Sequence, residues 1–254
     1  MYQRTARTLA AATAAGAALA ALGLTGAAAA ATTSAASAIP IAYTKSTAGY
    51  LDGTSGGWDF RFVGATVTVA ACQPASVIPK RAGNADATIG LGGSDGAATV
   101  TVTCGGGART ITYSDGSAHG SFALSPKVGD VLRISVFRNT AAGTDEFTAT
   151  DATSGTGLTY PVPAAAAVVY GQADLESVID DSGITSNPGP NARLWDFRFC
   201  NVTSTTGLHK GITGPWSTDR LWDWPHRADL NGSVMYPTVP ATGRQFSTHL
   251  VSRG

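Results

Sequence analysis

Two carboxylates stand two residues apart in the run Tyr170-Gly171-Gln172-Ala173-Asp174-Leu175-Glu176. Polar and apolar residues alternate through it, which is the period of a half-buried strand. On such a strand Tyr170, Gln172, Asp174 and Glu176 would share one face, with the Cα atoms of the two acids ~6.5–7 Å apart. Acids so placed can hold different protonation states and divide the work of general acid and general base, as the paired carboxylates of most glycosidases do. The competing reading is a solvated strand face, or the start of a turn around Asp180-Asp181. The glucanase-type pattern E-x-D-x-x-E is not completed, since only Asp174-Leu175-Glu176 is present.

Other residues with chemical potential are weaker. Gly53-Thr54-Ser55-Gly56-Gly57 and Gly92-Gly93-Ser94-Asp95-Gly96 both fit G-x-S-x-G, but a nucleophile elbow needs a strand before it and a helix after it. Both lie in glycine-rich turns of a chain with 31 glycines. His119, His209, His226 and His249 are scattered, and no Cys-x-x-Cys occurs, so no metal and no cofactor is expected. Trp216, Trp222 and Trp224 fall within nine residues, among Asp219, Arg220, Asp223, His226 and Arg227. Indole rings flanked by polar groups suit stacking on sugar faces or burying a partner's apolar patch. The alternative is a loop that covers the end of the fold with its own aromatics.

The elements that must carry these residues read as strands. Asp59 to Ala70, Ala98 to Cys104, Val131 to Arg138, Glu146 to Thr150 and Leu194 to Thr203 alternate and are rich in β-branched residues, as a pleated surface favours. Turn clusters separate them, among them Ser114-Asp115-Gly116, Gly129-Asp130 and Ser154-Gly155-Thr156-Gly157. The expectation is an all-β chain, a jelly-roll or concanavalin-like β-sandwich of two antiparallel sheets. The 254 residues carry 17 basic and 17 acidic side chains. Charged residues are 13% of the chain, about half the usual share, and a neutral balance excludes the basic stripe that nucleic acid requires.

One pentapeptide occurs twice, as Trp58-Asp59-Phe60-Arg61-Phe62 and Trp195-Asp196-Phe197-Arg198-Phe199. If the copies pair antiparallel with Phe60 opposite Phe197, Asp59 meets Arg198 and Arg61 meets Asp196, so both cross-strand pairs are opposite in charge. The two strands are therefore expected to be antiparallel neighbours in that register. Beyond Phe62 the apolar phase shifts to Val63, Ala65 and Val67, and Gly64 marks the expected β-bulge. The same register puts Cys200 far along the strand from Cys72. Cys72–Cys104 is then the better disulfide and Cys200 the free thiol.

The order of segments FRFVGATVTV, IGLGG, VTVTC-GGG, ITYS, VGDVLRISV, FTATDATSGTG, YGQADLE and WDFRFCNVTSTTG, from about Ala48 to Gly207, resembles the secreted glutamic peptidases (eqolisins). The end of the chain, Phe246 to Arg253, is similar to that of secreted actinobacterial proteins. The eqolisin resemblance implies a concanavalin-like sandwich of two sheets and a catalytic Glu and Gln. The Glu position falls on Asp174, within Gln172-Ala173-Asp174. The Gln follows the strand matched by Ile89-Gly90-Leu91-Gly92-Gly93, and no Gln lies between Gln73 and Gln172. In the family this Gln positions water and stabilises the oxyanion, and losing one such donor costs ~10²–10³ in rate. The resemblance thus implies a kept scaffold with an altered catalytic pair.

At the N-terminus Arg4 and Arg7 precede an alanine- and leucine-rich run and the small residues Ala27 to Ala31, the pattern of a secretory signal peptide. The expected organisation is a signal peptide over 1–31, a flexible mature N-terminus over 32–47, and one β-sandwich domain over 48–254 with a tryptophan-rich extension from about 208. No later run reaches the ~20 apolar residues of a spanning helix. On sequence alone the favoured reading is a secreted, non-catalytic protein that binds a glycan, cell-wall or protein surface. The alternative is a secreted acid-acting hydrolase, glutamic-peptidase-like or a glycosidase, using Asp174 and Glu176.

Overall fold

The computed structural model describes residues 39–44, 47–69, 85–93, 96–105, 108–116, 118–164, 168–179, 192–205, 207–209, 211–214, 217–223, 233–238 and 243–252. Among them there is no helix. The strands are β1 (Ile41–Thr44), β2 (Thr47–Asp52), β3 (Phe60–Thr68), β4 (Ala85–Gly93), β5 (Gly96–Gly105), β6 (Ala108–Asp115), β7 (Ala118–Ser121), β8 (Val131–Asn139), β9 (Thr144–Asp151), β10 (Thr156–Pro163), β11 (Gln172–Ile179), β12 (Ala192–Ser204), β13 (Gly207–His209), β14 (Thr218–Asp223), β15 (Ser233–Pro237) and β16 (Phe246–Ser252). Ile41–Thr44, assigned by the sequence reading to the N-terminal tail, pairs with β14 in parallel.

The chain forms an all-β sandwich of two mostly antiparallel sheets. One layer has the order β10-β9-β8-β3-β12 and the other β2-β11-β4-β5-β6-β7, while β16, β15 and β14 continue the hydrogen-bonded ladder between them. The layers meet where β3 packs on β4 and β11, β8 on β4 and β5, and β9 on β5 and β6. Alternation explains why. Along β8 every second residue, Leu132, Ile134, Val136 and Arg138, is buried, and along β9 Asp145, Phe147, Ala149 and Asp151 are. Phe246 bridges the layers, stacking on Phe197 at 4.6 Å and meeting Tyr50 edge-on at 4.9 Å. The edge strand β10 holds two prolines, Pro161 and Pro163; it ends the path and pairs only with β9, where a missing N–H breaks no second ladder.

The twin pentapeptides lie on antiparallel neighbours, but not in the expected register. Phe197 opposes Val67, and Phe60 opposes Ser204. The strands have slid past each other, so Asp59, just before β3, pairs with Arg61 two residues on and Asp196 accepts a hydrogen bond from Ser247 of β16. Burial outweighs charge here: the observed register puts Val63, Val67, Phe197 and Val202, all fully buried, into the core. A two-residue side-chain period makes that a strong constraint.

The bulge expected at Gly64 is displaced as well. Gly64 is paired in register with Asn201 on one side and Ser135 on the other. The irregularities flank it, one on β3 between the partners of Thr203 and Ser204, and one on β12 between Arg198 and Asn201. The first explains the phase shift from Phe60 to Val63. The second sets Phe199 and Cys200 against Ala65, and Phe199 takes φ 51°.

Candidate acid site

Strand β11 carries the acids, and its sequence divides by face. Ala173, Leu175 and Ser177 are fully buried in the core. Gln172, Asp174 and Glu176 therefore project from the outer face, where each is only partly exposed. Tyr170, expected on that same face, is not there. The chain leaves strand geometry at Gly171, and Tyr170 turns into the space between the layers, 2% exposed.

The strands beside β11 determine what surrounds the acids. Asp174 lies between Leu51 of β2 and Gly90 of β4, and Glu176 between Gly49 and Thr88. Gln172 is opposite Gly92, which is opposite Ala97 of β5. One strand further out, Thr99 opposes Gly90 and Thr101 opposes Thr88; the Thr88 and Thr101 hydroxyls are 3.1 Å apart. The floor is thus glycine and threonine. Gly90 has a direct steric reason. A Cβ there would sit 2.7 Å from Asp174 Oδ1, 3.0 Å from Oδ2 and 3.1 Å from Thr99 Cγ2. The carboxylate lies flat across Gly90 toward β5, and only the missing side chain allows it.

Burial raises the pKa of Asp174 above the ordinary carboxylate range. It raises Glu176 as well, and the neighbouring Asp174 charge adds to the effect. Among the described residues no cation pairs with either acid. Two carboxylates in this arrangement ionise one after the other, so a broad pH interval exists in which one is charged and one protonated. Asp86, further along the same face of β4, is also raised by burial, partly offset by hydrogen bonds from Thr103 and the Cys104 backbone. Among the described residues no three His, Cys, Asp or Glu side chains form a metal-holding group.

A second acidic cluster lies between the layers, and no sequence signal pointed to it. The Tyr170 hydroxyl donates to Asp145 Oδ2 at 2.6 Å, and Arg138 Nη1 lies 3.5 Å from Asp145 Oδ1, both side chains almost wholly buried. Asp115 faces this group and is raised by burial, then by the Asp145 charge, against the lowering effect of Arg138. The Tyr170 carbonyl accepts from the Phe60 N–H at 2.8 Å, so the cluster also anchors the segment leading into β11.

The remaining sequence candidates are placed as follows. Trp216 and Trp224 lie outside the described residues, and of Trp222 the structure gives the backbone, paired with Tyr43. Cys72 also lies outside them, so its expected bond to Cys104 stays an expectation. Cys104 is 2% exposed. Cys200 is a buried free thiol, pushed up to about 12 by that burial. Sequence reasoning named Asp174 and Glu176 but missed Gly90, Thr88, Thr99 and Asp86, because cross-strand neighbours leave no mark on the order of residues.

The fold has solved counterparts. The chain is similar to scytalido-glutamic peptidase bound to a peptide-based transition state analog, with TM-score 0.57 and 17% identity over 82% of this chain and 98% of that one. It is similar to scytalido-glutamic peptidase with a transition state analog inhibitor, with TM-score 0.59 and 16% identity over the same shares. A third counterpart is SCP-B, a member of the eqolisin family of peptidases, in complex with a tripeptide, with TM-score 0.53, 16% identity and again 82% and 98% coverage. No family model matches the chain, and no curated protein matches it by sequence. At these identities the likeness establishes the fold.

Proposed function

We propose that the chain is an exported hydrolase that cleaves peptide bonds, with Asp174 as general base and Glu176 as general acid. The observation that carries this reading is the pair itself: two adjacent carboxylates on one strand face, both raised by burial, with no cation among the described residues to neutralise them. A structural acid at this degree of burial ordinarily has a partner, so an uncompensated pair is what a catalytic site needs. The solved counterparts with peptide-like ligands support a peptide as the substrate class.

The chemistry follows from the face. Ionised Asp174 takes a proton from a water, whose oxygen adds to the scissile carbonyl. The developing oxyanion accepts a hydrogen bond from the Gln172 amide, one pleat along the same face. Glu176, kept protonated by burial and by the Asp174 charge, gives its proton to the leaving nitrogen as the C–N bond breaks. Gln172 supplies the amide that the motif order left without a counterpart on β5, where Ala97 stands in the same cross-strand row. Space is available beside it, since a Cβ on Gly92 would meet nothing within 4 Å.

Both acids are shifted upward, so the productive state, one charged and one protonated, lies above the ~4 of an ordinary carboxylate. The pH profile should rise through the Asp174 titration and fall through that of Glu176, with its maximum at mildly acidic to neutral pH. The non-catalytic reading rested on the loss of the acid-and-amide pair and on the tryptophans. β11 retains acids and an amide on one face.

The test is release of soluble peptides from acid-denatured casein between pH 3 and 8. Asp174→Asn and Glu176→Gln should each lower kcat/KM by ~10²–10⁴, and Gln172→Ala should lower kcat by ~10²–10³. A folded protein that releases nothing at any pH, or whose activity survives Asp174→Asn, overturns the assignment.

A further inference from the structure

Each copy of the repeated pentapeptide contains a bulge, and both bulges turn the second phenylalanine out of the core. Phe60 and Phe197 are fully buried, whereas Phe62 is partly exposed and Phe199 is 63% exposed. The two outward rings converge. Both line a groove of about 540 Å³ on the outer face of β3, β8, β9 and β12, together with Arg133, Ser135, Thr148 and Asn201. A Cβ on Gly64 would lie 2.7 Å from Phe62 Cζ, so this glycine lets the Phe62 ring rest on the sheet and floor the groove.

Two features lack a structural explanation. Phe199 is the only residue other than glycine, among those described, with positive φ. It occupies the left-handed position that this kind of bulge usually gives to glycine, and a bulky residue there is strained. The strain secures no packing, because the ring points into solvent; strain of this kind gathers at binding and catalytic sites. In addition, Asn201 Oδ1 is buried in the groove lining with no hydrogen-bond partner, which a satisfied structural amide would not be.

The lining selects the ligand chemistry. Among the described residues no carboxylate lines the groove, and the one charged group is Arg133. The floor strands are paired on both sides, β3 by β8 and β12, β8 by β3 and β9, and β9 by β8 and β10. No free strand edge remains to which a peptide could add. A sugar ring fits this arrangement better. Its C–H face stacks on a phenyl ring, and its hydroxyls both donate and accept, matching Ser135, Thr148, Asn201 and Arg133. The volume lies within the range of small-ligand sites. We infer that this groove, on the layer opposite the acid pair, is a binding site for an oligosaccharide chain, with Phe62 and Phe199 as stacking platforms.

The experiment is native affinity electrophoresis of the exported protein in gels containing laminarin, xylan, polygalacturonate or, separately, unfolded casein. Phe199→Gly removes the ring and suits the backbone, and Phe199→Tyr keeps an aromatic face. The expected result is retardation by at least one polysaccharide, a tenfold or greater weakening in Phe199→Gly, and recovery in Phe199→Tyr. The thermal midpoint of Phe199→Gly should equal or exceed that of the parent, and casein hydrolysis should be unchanged. Three results overturn the proposal: no polysaccharide retards the protein, retardation is the same in Phe199→Gly, or the midpoint of that variant falls, which makes the ring structural. Phe199-dependent retardation by casein alone assigns the groove to polypeptide and overturns it equally.

Discussion

Asp145 lies between the two layers, fully buried, 3.5 Å from the Arg138 guanidinium and 2.6 Å from the Tyr170 hydroxyl. Asp174 lies on the outer face of β11 beside Glu176, with no cation among the described residues paired to either. Both aspartates are held by the same sandwich, Asp145 wholly buried and Asp174 only partly exposed. In the first region the protein compensates the charge with a cation and a hydroxyl, and the result is an internal brace. In the second, Glu176 stands beside Asp174 without the cation that Asp145 and Asp115 share in Arg138, and burial pushes both acids upward. The contrast separates an acid that holds structure from acids kept ready for proton transfer.

The comparison can be broken at its braced side first. Arg138→Met leaves Asp145 buried without its cation and should destabilise the protein by about 3–5 kcal/mol, measured by urea unfolding. A loss below about 1 kcal/mol would mean that the ion pair is not the compensation. The effect at the other side is smaller and appears in rate. Gly90→Ala places a Cβ against the Asp174 carboxylate and the Thr99 methyl, both ends of short side chains that can shift. Peptide release should fall about tenfold, ~1.4 kcal/mol in barrier, with little change in thermal midpoint. An unchanged rate would show that the position of Asp174 over Gly90 does not matter.

The smallest effect tests the sign of the electrostatics. A carboxyl whose folded pKa is raised disfavours its own ionisation in the folded state, so its stability penalty appears as pH rises from the unfolded value through the folded one. Glu176→Gln removes that penalty. Its thermal midpoint should exceed the parent's by a few degrees at pH 8, given ~2–4 °C per kcal/mol for a domain of this size. At pH 3, where the carboxyl is protonated in both states, the two should coincide. A gain at pH 3 as large as that at pH 8 would show that packing, not charge, is responsible.

Much of this was legible before any fold was known. Val131 to Arg138 and Leu194 to Thr203 were readable as strands almost to their ends, and the shared face of Asp174 and Glu176 followed from their spacing. β10 was harder to see, because its prolines argue against a strand unless it is known to be an edge. Tyr170 was misplaced because one glycine ended the alternation. The twin pentapeptides were matched by charge, when the core had already committed their neighbours to a different register.

Side-chain alternation is local, with a period of two residues, so the order of residues alone determined which groups share a face of each strand and that the chain would form sheets. Register, bulges and the neighbours across a strand depend on how whole strands settle against one another to fill a common core. Only the folded sandwich therefore decided that Asp174 lies over Gly90, that Asp145 meets Arg138, and that two distant phenylalanines line one groove.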